Sequence, residues 1–463
     1  MRRCTLEEIA KFSGGRIVKG NPALQVDRLH TDTRTLAAGD CFVALSGNRF
    51  DGHEFVREVK DRGAVAALVS NRLIPDLPDD LGLVEVPNTL EALQRFAATY
   101  RKLLSVRMVG VTGSSGKTST KELIAAVLRT RFKTKATEGN LNNHIGVPLT
   151  LIGLDEGDEY GVVELGMNHP GEIAPLARMT APEIGVISSI GPAHIEFFEN
   201  QAAIAEEKSE LIAALPADGL AVLNSDDEWS RYISHRSGTR RVVWIGNGAH
   251  STWRANDLQV TAKGLSFKIV HGGDSTPVHL PVFNRVMVGN ALLAAAVGDA
   301  CGLSLAEIAK GLESVKLPGA RMQVVRAGGA WIINDAYNAN PDSIKAGLVT
   351  LKEFPGARRR LAVLGSMGEL GQHAVELHRA VGEFAAKQGI EFLLAVGPNA
   401  DAYCAGAITG GIDHDKVAVA LDAEEAAAGL LTRMHEGDAV LVKGSHFMGL
   451  ERLVAIVAGK DAR

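Results

Sequence analysis

The stretch Arg107-Met108-Val109-Gly110-Val111-Thr112-Gly113-Ser114-Ser115-Gly116-Lys117-Thr118-Ser119 limits the fold of this chain more than any other. An apolar run of strand length passes directly into a glycine- and serine-rich turn. The turn opens a helical pattern whose inward face carries Leu123, Ala126 and Val127. A strand–turn–helix unit of this kind aims backbone N–H groups and the positive helix end at phosphate oxygens. Lys117 then reaches the β- and γ-phosphates of a nucleotide, and the Thr118 hydroxyl binds Mg²⁺. Val111 stands where the strict motif has its first glycine.

With 463 residues and roughly 100–200 residues per domain, the chain has room for two to four domains. Strand-length apolar runs recur along it: residues 41–45, 64–69, 160–165, 184–190, 220–223, 331–334, 361–364, 392–396 and 439–442. Near-continuous apolar strands are the kind buried on both faces of a parallel sheet. A helical stretch over residues 90–104 ends just before the strand at Arg107, and Leu317-Pro318-Gly319 reads as a linker. The expected architecture is α/β in three domains. Residues 1–105 form the first, 106–317 a central P-loop domain on a parallel sheet, and 318–463 a third, Rossmann-like unit.

Composition narrows the function. Apolar residues make up 46% of the chain, and 49 Lys+Arg against 54 Asp+Glu leave a net charge of -5. That argues against electrostatic nucleic-acid binding, which uses a basic excess. No apolar run approaches the roughly 18–20 residues needed to span a bilayer, and the N-terminus has no apolar signal-like region. Cys4, Cys41, Cys301 and Cys404 form no metal or disulfide spacing. A cytoplasmic protein without membrane insertion is expected.

Several polar residues fall just after strands, where open parallel sheets bind ligands. Glu164, His194 and Asp335 are three of them. A carboxylate and an imidazole beside a phosphate loop suit a divalent metal. Lys208 sits within a helical stretch, on the same face as Ile204, Leu211, Ile212 and Leu215. Spacing alone favours a lysine whose ammonium snorkels to water. In the turn of residues 334–342, Asp342 or Ser343 can cap the helix that follows. Lys443-Gly444-Ser445-His446 has the look of a second anion-binding turn or of a solvated connection.

Taken together, TGSSGKTS from Thr112, ELGMNHPGEI from Glu164, GPAHIEFF from Gly191, EEKSELI from Glu206, VGN from Val288 and DAYNANPDS from Asp335 resemble the Mur ligases. These are ATP-dependent amide-forming enzymes of peptidoglycan synthesis, and their phosphate loop has this variant spacing. The resemblance runs from Thr31 to Lys443. Asn48-Arg49-Phe50-Asp51-Gly52-His53, the Asn-Ala-Asn-Pro turn and GSMGELG from Gly365 are similar to members that join D-alanyl-D-alanine to UDP-N-acetylmuramoyl-tripeptide. The Asp-Asn-Pro-Arg motif of members that add diaminopimelate is missing. One departure is Ala320-Arg321, where the family usually has Gly-Arg.

The resemblance implies roles. The first domain holds the uridine nucleotide through Thr31, Asp32, Thr33, Arg34 and Asn48 to His53. Gly113, Ser114, Ser115, Gly116, Lys117, Thr118 and Ser119 hold ATP. Asn290, Arg321, Asp335, Tyr337 and Asn338 reach its nucleoside end or close over it. Asn142 and Asn143 lie near the γ-phosphate and the substrate carboxylate. Thr118, Glu164, His194 and Lys208 serve Mg²⁺, Lys208 as a carbamate, and Lys117, His194 and Lys208 are the catalytic set. A monomer is expected. The alternatives are a third-residue-adding Mur ligase, folylpolyglutamate synthase (which lacks a uridine domain), and a P-loop module that binds nucleotide without ligating.

Overall fold

The computed structural model describes residues 1–47, 50–70 and 80–459. Three mainly parallel sheets follow one another along the chain. In the first, Arg16–Lys19 pairs antiparallel with Gly82–Val86, and Ala66–Ser70, Asp40–Val43 and Arg28–His30 continue the sheet in parallel. Helix Thr89–Arg101, N-capped by Asn88, leaves this unit. Its Tyr100 hydroxyl donates to Leu154 O at 3.0 Å, and Gln94 Nε2 donates to His144 O at 2.9 Å. These bonds lock it onto the central unit.

The central sheet has nine strands. Arg107–Thr112 lies between Ile184–Ile187 and Tyr160–Glu164, parallel to both. Thr134–Ala136 forms one edge, while Leu220–Asn224, Val242–Ile245 and Trp253–Thr261 extend the other side in parallel. From Arg107–Thr112 the chain winds towards one edge, and from Ile184–Ile187 towards the other. Their carboxyl ends therefore flank a crevice, the place where such sheets bind ligands. All residues of Tyr160–Glu164 and Ile184–Ile187 are buried, as strands covered on both faces must be. Helix Lys117–Leu128 buries Leu123, Ile124, Ala125, Val127 and Leu128, with Ala126 only half-buried.

The sequence reading missed an antiparallel extension. Trp253–Thr261, Gly264–His271 and Asp274–Leu280 form a meander at the far edge. Its second turn, Gly272-Gly273, has both residues at positive φ (60° and 93°), the usual signal of a tight hairpin. The third sheet runs Gln323–Ala327, Ala330–Asn334, Ala439–Lys443, Arg360–Gly365, Phe392–Val396, Val417–Ala420. Only Gln323–Ala327 is antiparallel. Ala439–Lys443, last in the chain, inserts beside Ala330–Asn334 and so carries Lys443 next to Asp335.

The third unit rests on the central one through Phe283 against Phe354 (ring centroids 4.9 Å apart), an Arg285–Glu353 ion pair, and contacts between residues 195–197 and 371–373. One buried apolar cluster runs through all three units. Among the described residues no helix is long and apolar enough to cross a membrane. Two strained residues flank Arg321: Ala320 at φ 57° and Met322 at φ 54°. A left-handed non-glycine residue costs about 1–2 kcal/mol, against which glycine loses about 0.5–1 kcal/mol of chain entropy. Ala320→Gly should therefore stabilise the fold by about 0.5–1 kcal/mol, read by calorimetry as a rise of about 1–3 °C in the thermal midpoint.

Candidate active site

Side chains from the central and third units converge on a cleft of about 660 Å³ at the crevice of the central sheet. The phosphate loop forms its floor. Gly113 has φ 152°, and a Cβ there would stand 2.0 Å from Ser188 Oγ. Gly116, at φ 79°, begins the helix and faces the Asn290 side chain. A side chain would clash outright at Gly113, and at Gly116 it would be strained by the positive φ and crowd Asn290. The loop is tied to the neighbouring strand's exit by Ser114 N donating to Ser189 O (2.8 Å) and Ser188 Oγ donating to Ser115 O (2.6 Å). Lys117 folds its ammonium onto Gly113 O at 2.8 Å. Burial lowers its pKa, opposed by Glu164 and reinforced by Arg321.

Glu164 ends its strand buried, with its N–H donating to Thr137 Oγ1 (3.0 Å) and its Oε1 accepting from Asn142 Nδ2 (2.8 Å). Its Oε2 is buried without a partner. His194, left-handed at φ 63°, hydrogen-bonds Glu369 of the third unit through Nδ1. Burial lowers its pKa, the Glu369 carboxylate opposes that, and Lys117 adds to it.

Lys208 does not snorkel. On helix Gln201–Ala213 it is fully buried, and its Nζ has no hydrogen-bond partner among the described residues. Burial, then the charge of Lys117, pulls its pKa well below the usual lysine value, with Glu207 opposing. It lies behind the cleft wall rather than on its surface. Spacing alone misjudged it because the helix packs on both sides of that position, leaving the stem no route to water. The neighbouring Glu207 is occupied structurally, accepting from Gly171 N and Ile173 N, both at 2.8 Å.

The third unit supplies the opposite wall. Arg321 lies over the Tyr337 ring, 4.1 Å from its centroid, with Nε buried and unpartnered. Asp335 Oδ1 accepts from Met322 N (3.1 Å), and its Oδ2 accepts from Lys443 Nζ (2.6 Å), which also donates to Asn338 O (3.0 Å). The Lys443 turn is therefore no free anion site, since its ammonium is already committed. Asn340, not Asp342 or Ser343, caps helix Pro341–Glu353, with Ser343 as its capping-box partner. Asp342 faces the cleft instead, and burial raises its pKa.

The cleft thus gathers Ser114 to Ser119, Asn142, Asn143, Glu164, His194, Asn290, Arg321, Asp335, Tyr337 and Asn338. Gly113 belongs to the same loop but does not line the cleft. The first-unit residues stand apart, after the adjacent parallel strands Arg28–His30 and Asp40–Val43. There Asp32 caps the turn Thr33–Thr35 and pairs with Arg34. Asp51 caps Gly52–Phe55 and binds His53 Nδ1 at 2.6 Å, while Phe50 is exposed. Thr31 leads directly out of the first of these strands. Asn48 and Arg49 lie outside the described residues. Missed by the sequence reading as site residues were Glu369, His169 and Asp342. His169 and Asp342 stand inside motifs already noted, but nothing in the sequence pairs Glu369 with His194.

No group of three or more His, Cys, Asp or Glu able to hold a metal occurs among the described residues. The donor set nevertheless fits Mg²⁺, which usually takes one or two protein carboxylates and completes its shell with phosphates and water. The orphaned Glu164 Oε2 beside the phosphate loop is the observation that supports this, since buried polar atoms rarely stay unpartnered.

Comparison with known proteins agrees with this geometry. Residues 25–101 match the Mur ligase family catalytic domain, 111–298 the Mur ligase middle domain, and 320–446 the Mur ligase glutamate ligase domain. The chain belongs to the Mur ligase family. Its relatives include the UDP-N-acetylmuramoyl-tripeptide--D-alanyl-D-alanine ligases of Escherichia coli, 37% identical over 97% of each chain, and of Bacillus subtilis, 34% identical over 98% of each. The crystal structure of MurF from Acinetobacter baumannii superposes with a TM-score of 0.90 at 30% identity, covering 99% of this chain and 100% of that one. Membership implies catalysis that depends on ATP and Mg²⁺.

Removing one preorganised donor to developing phosphoryl charge costs about 3–4 kcal/mol, or roughly 10²–10³ in rate. Lys117→Ala should lose at least that much ligation while its circular dichroism and melting curve stay those of the parent. A folded variant with near-normal turnover would remove the loop from the chemistry.

Proposed function

We propose that this chain is an ATP-dependent amide ligase that joins D-alanyl-D-alanine to UDP-N-acetylmuramoyl-tripeptide. The observation that carries the reading is the cleft itself. A phosphate loop, a buried carboxylate with a free oxygen and an imidazole meet there, in a chain that matches ligases of this activity along its whole length.

The chemistry follows from the substrates. A peptide carboxylate resists attack by an amine because oxide is a poor leaving group. Its oxygen therefore attacks the γ-phosphorus of ATP, the bond to ADP breaks, and an acyl phosphate forms. The dipeptide's free amine then attacks the acyl carbon, inorganic phosphate departs with the C–O electron pair, and the amine gives up a proton. Lys117 and the loop N–H groups neutralise charge building on the transferred phosphoryl. Asn290, Arg321 and Tyr337 orient the nucleoside end, while Asn142 and Asn143 stand towards the carboxylate. Glu164, His194 and Thr118 would hold Mg²⁺, which when bound neutralises phosphoryl oxygens.

Lys208 has a role that its burial supports. An uncharged Nζ adds to the carbon of CO₂ and releases a proton to solvent, leaving a carbamate. That anion supplies the acidic ligand for which no Asp or Glu is placed. The first unit holds the uridine nucleotide through Thr31 to Arg34 and Asn48 to His53; Thr31 follows strand Arg28–His30, and Asp51 comes after its parallel neighbour Asp40–Val43.

Three experiments test this. Phosphate release from ATP should require both the UDP-muramoyl peptide and D-alanyl-D-alanine; release with a folate or with neither acceptor would overturn the assignment. Asp51→Ala and Arg34→Ala should raise KM for the UDP-peptide and leave KM for ATP near its parent value, and the reverse pattern would show the first unit misassigned. Lys208→Ala should be nearly inactive and regain ligation when acetate or formate is added. Lys208→Arg should stay inactive, because a guanidinium keeps its charge; an active Lys208→Arg enzyme would dispose of the carbamate.

A further inference from the structure

The loop Gly365 to Gly371 enters none of the roles above, yet it brings a carboxylate against His194 of the central unit. We propose that Glu369 is a positioning residue for His194, so that the imidazole is set for its task only when the third unit is docked on the central one. This rests on the ligase reading, because it takes the ring's other nitrogen to face the reacting groups.

The hydrogen bond joins Glu369 Oε2 to His194 Nδ1, residues of different units. An ionised carboxylate only accepts, so Nδ1 must carry the proton. A neutral ring so held presents Nε2 as a lone pair, the tautomer needed for a ligand or an acceptor. The His194 side chain is 15% exposed, while that of Glu369 is 40% exposed. A backbone bond runs alongside it, Glu196 N donating to Glu369 O at 3.2 Å.

The loop is also held from within the third unit. Met367 N donates to His378 Nε2 at 2.9 Å, and His378 Nδ1 donates in turn to Ala374 O at 2.6 Å. Gly368 N donates to Ser445 Oγ at 2.8 Å. Both ends of the contact are also strained. His194 has φ 63° and Glu369 φ 58°, and neither is glycine. Left-handed conformations of such residues persist where the surroundings over-determine them, and they gather at functional contacts. Two such residues meeting tip to tip across a unit boundary is what a docking-dependent site requires.

The test reads the ring directly, in the free enzyme. With ¹⁵N-labelled histidine, and His194→Gln to identify its signals, His194 in the parent should show the Nδ1–H tautomer. Glu369→Ala should shift it towards Nε2–H, weaken Mn²⁺ binding measured by electron spin resonance in the presence of ADP, and lower kcat by about 10–100-fold, the usual cost of losing such a support. KM for the UDP-peptide, held by the first unit, should stay put, and Glu369→Gln, whose amide oxygen still accepts, should recover part of each loss. An unchanged melting curve separates these effects from unfolding. If Glu369→Ala leaves the tautomer and the Mn²⁺ affinity as in the parent, the proposal is wrong. Should the tautomer shift while ligation is unaffected, positioning for catalysis is refuted. A parent enzyme that shows the tautomer but no ligation at all would instead strike at the proposed function.

Discussion

Everything in the site depends on one arrangement of strands. Arg107–Thr112 lies in register between two parallel neighbours, so three carboxyl ends open at one edge of the sheet. The phosphate loop leaves the first, Glu164 closes the second, and the segment bearing His194 follows the third. The groups are far apart in the chain but are brought together by a ladder of backbone hydrogen bonds that pairs Val111 with Glu164 and Thr112 with Ile187.

The first unit and the third are subordinate to that edge in different ways. Helix Thr89–Arg101 fastens the first unit by side-chain bonds to backbone carbonyls, one of them that of the cleft-lining His144. The third unit contributes walls to the cleft itself, through Arg321 with Tyr337 and through Asp335 held by Lys443. It is attached by an aromatic pair, an ion pair and the Glu369 loop, beside the buried apolar cluster that runs through all three units.

Much of this was legible in the chain. The glycine spacing at Gly113 and Gly116 reflects hard steric limits, and apolar strands buried on two faces read clearly, so the three sheets and the phosphate loop could be foreseen. Glu164, His194 and Asp335 were found by their place after strands. What stayed hidden was tertiary. The meander over residues 253–280 lies at a sheet edge, where alternation is weak. Lys208 reads as amphipathic until the packing on its far side is known. The Lys443–Asp335 pair exists because the last strand inserts beside an earlier one, a crossing that no local pattern announces. Glu369 lies in a motif that marks the subfamily but says nothing of a partner in another unit.

The helix Gln201–Ala213 carries two consecutive residues with opposite duties. Glu207 is spent on the backbone amides of Gly171 and Ile173, and Lys208 next to it points into the buried interior. Successive residues on an α-helix are separated by about 100° of rotation, so the helix can satisfy both only at one angular setting. Glu207 therefore acts as an index pin that sets the helix's rotational phase. A single residue inserted between Asn200 and Glu207 would bring the carboxylate to where the amine belongs, and a single deletion would bring the amine to where the carboxylate belongs. Length in this segment is consequently under tighter constraint than its composition, which explains how a helix of such ordinary sequence can serve a site this exacting.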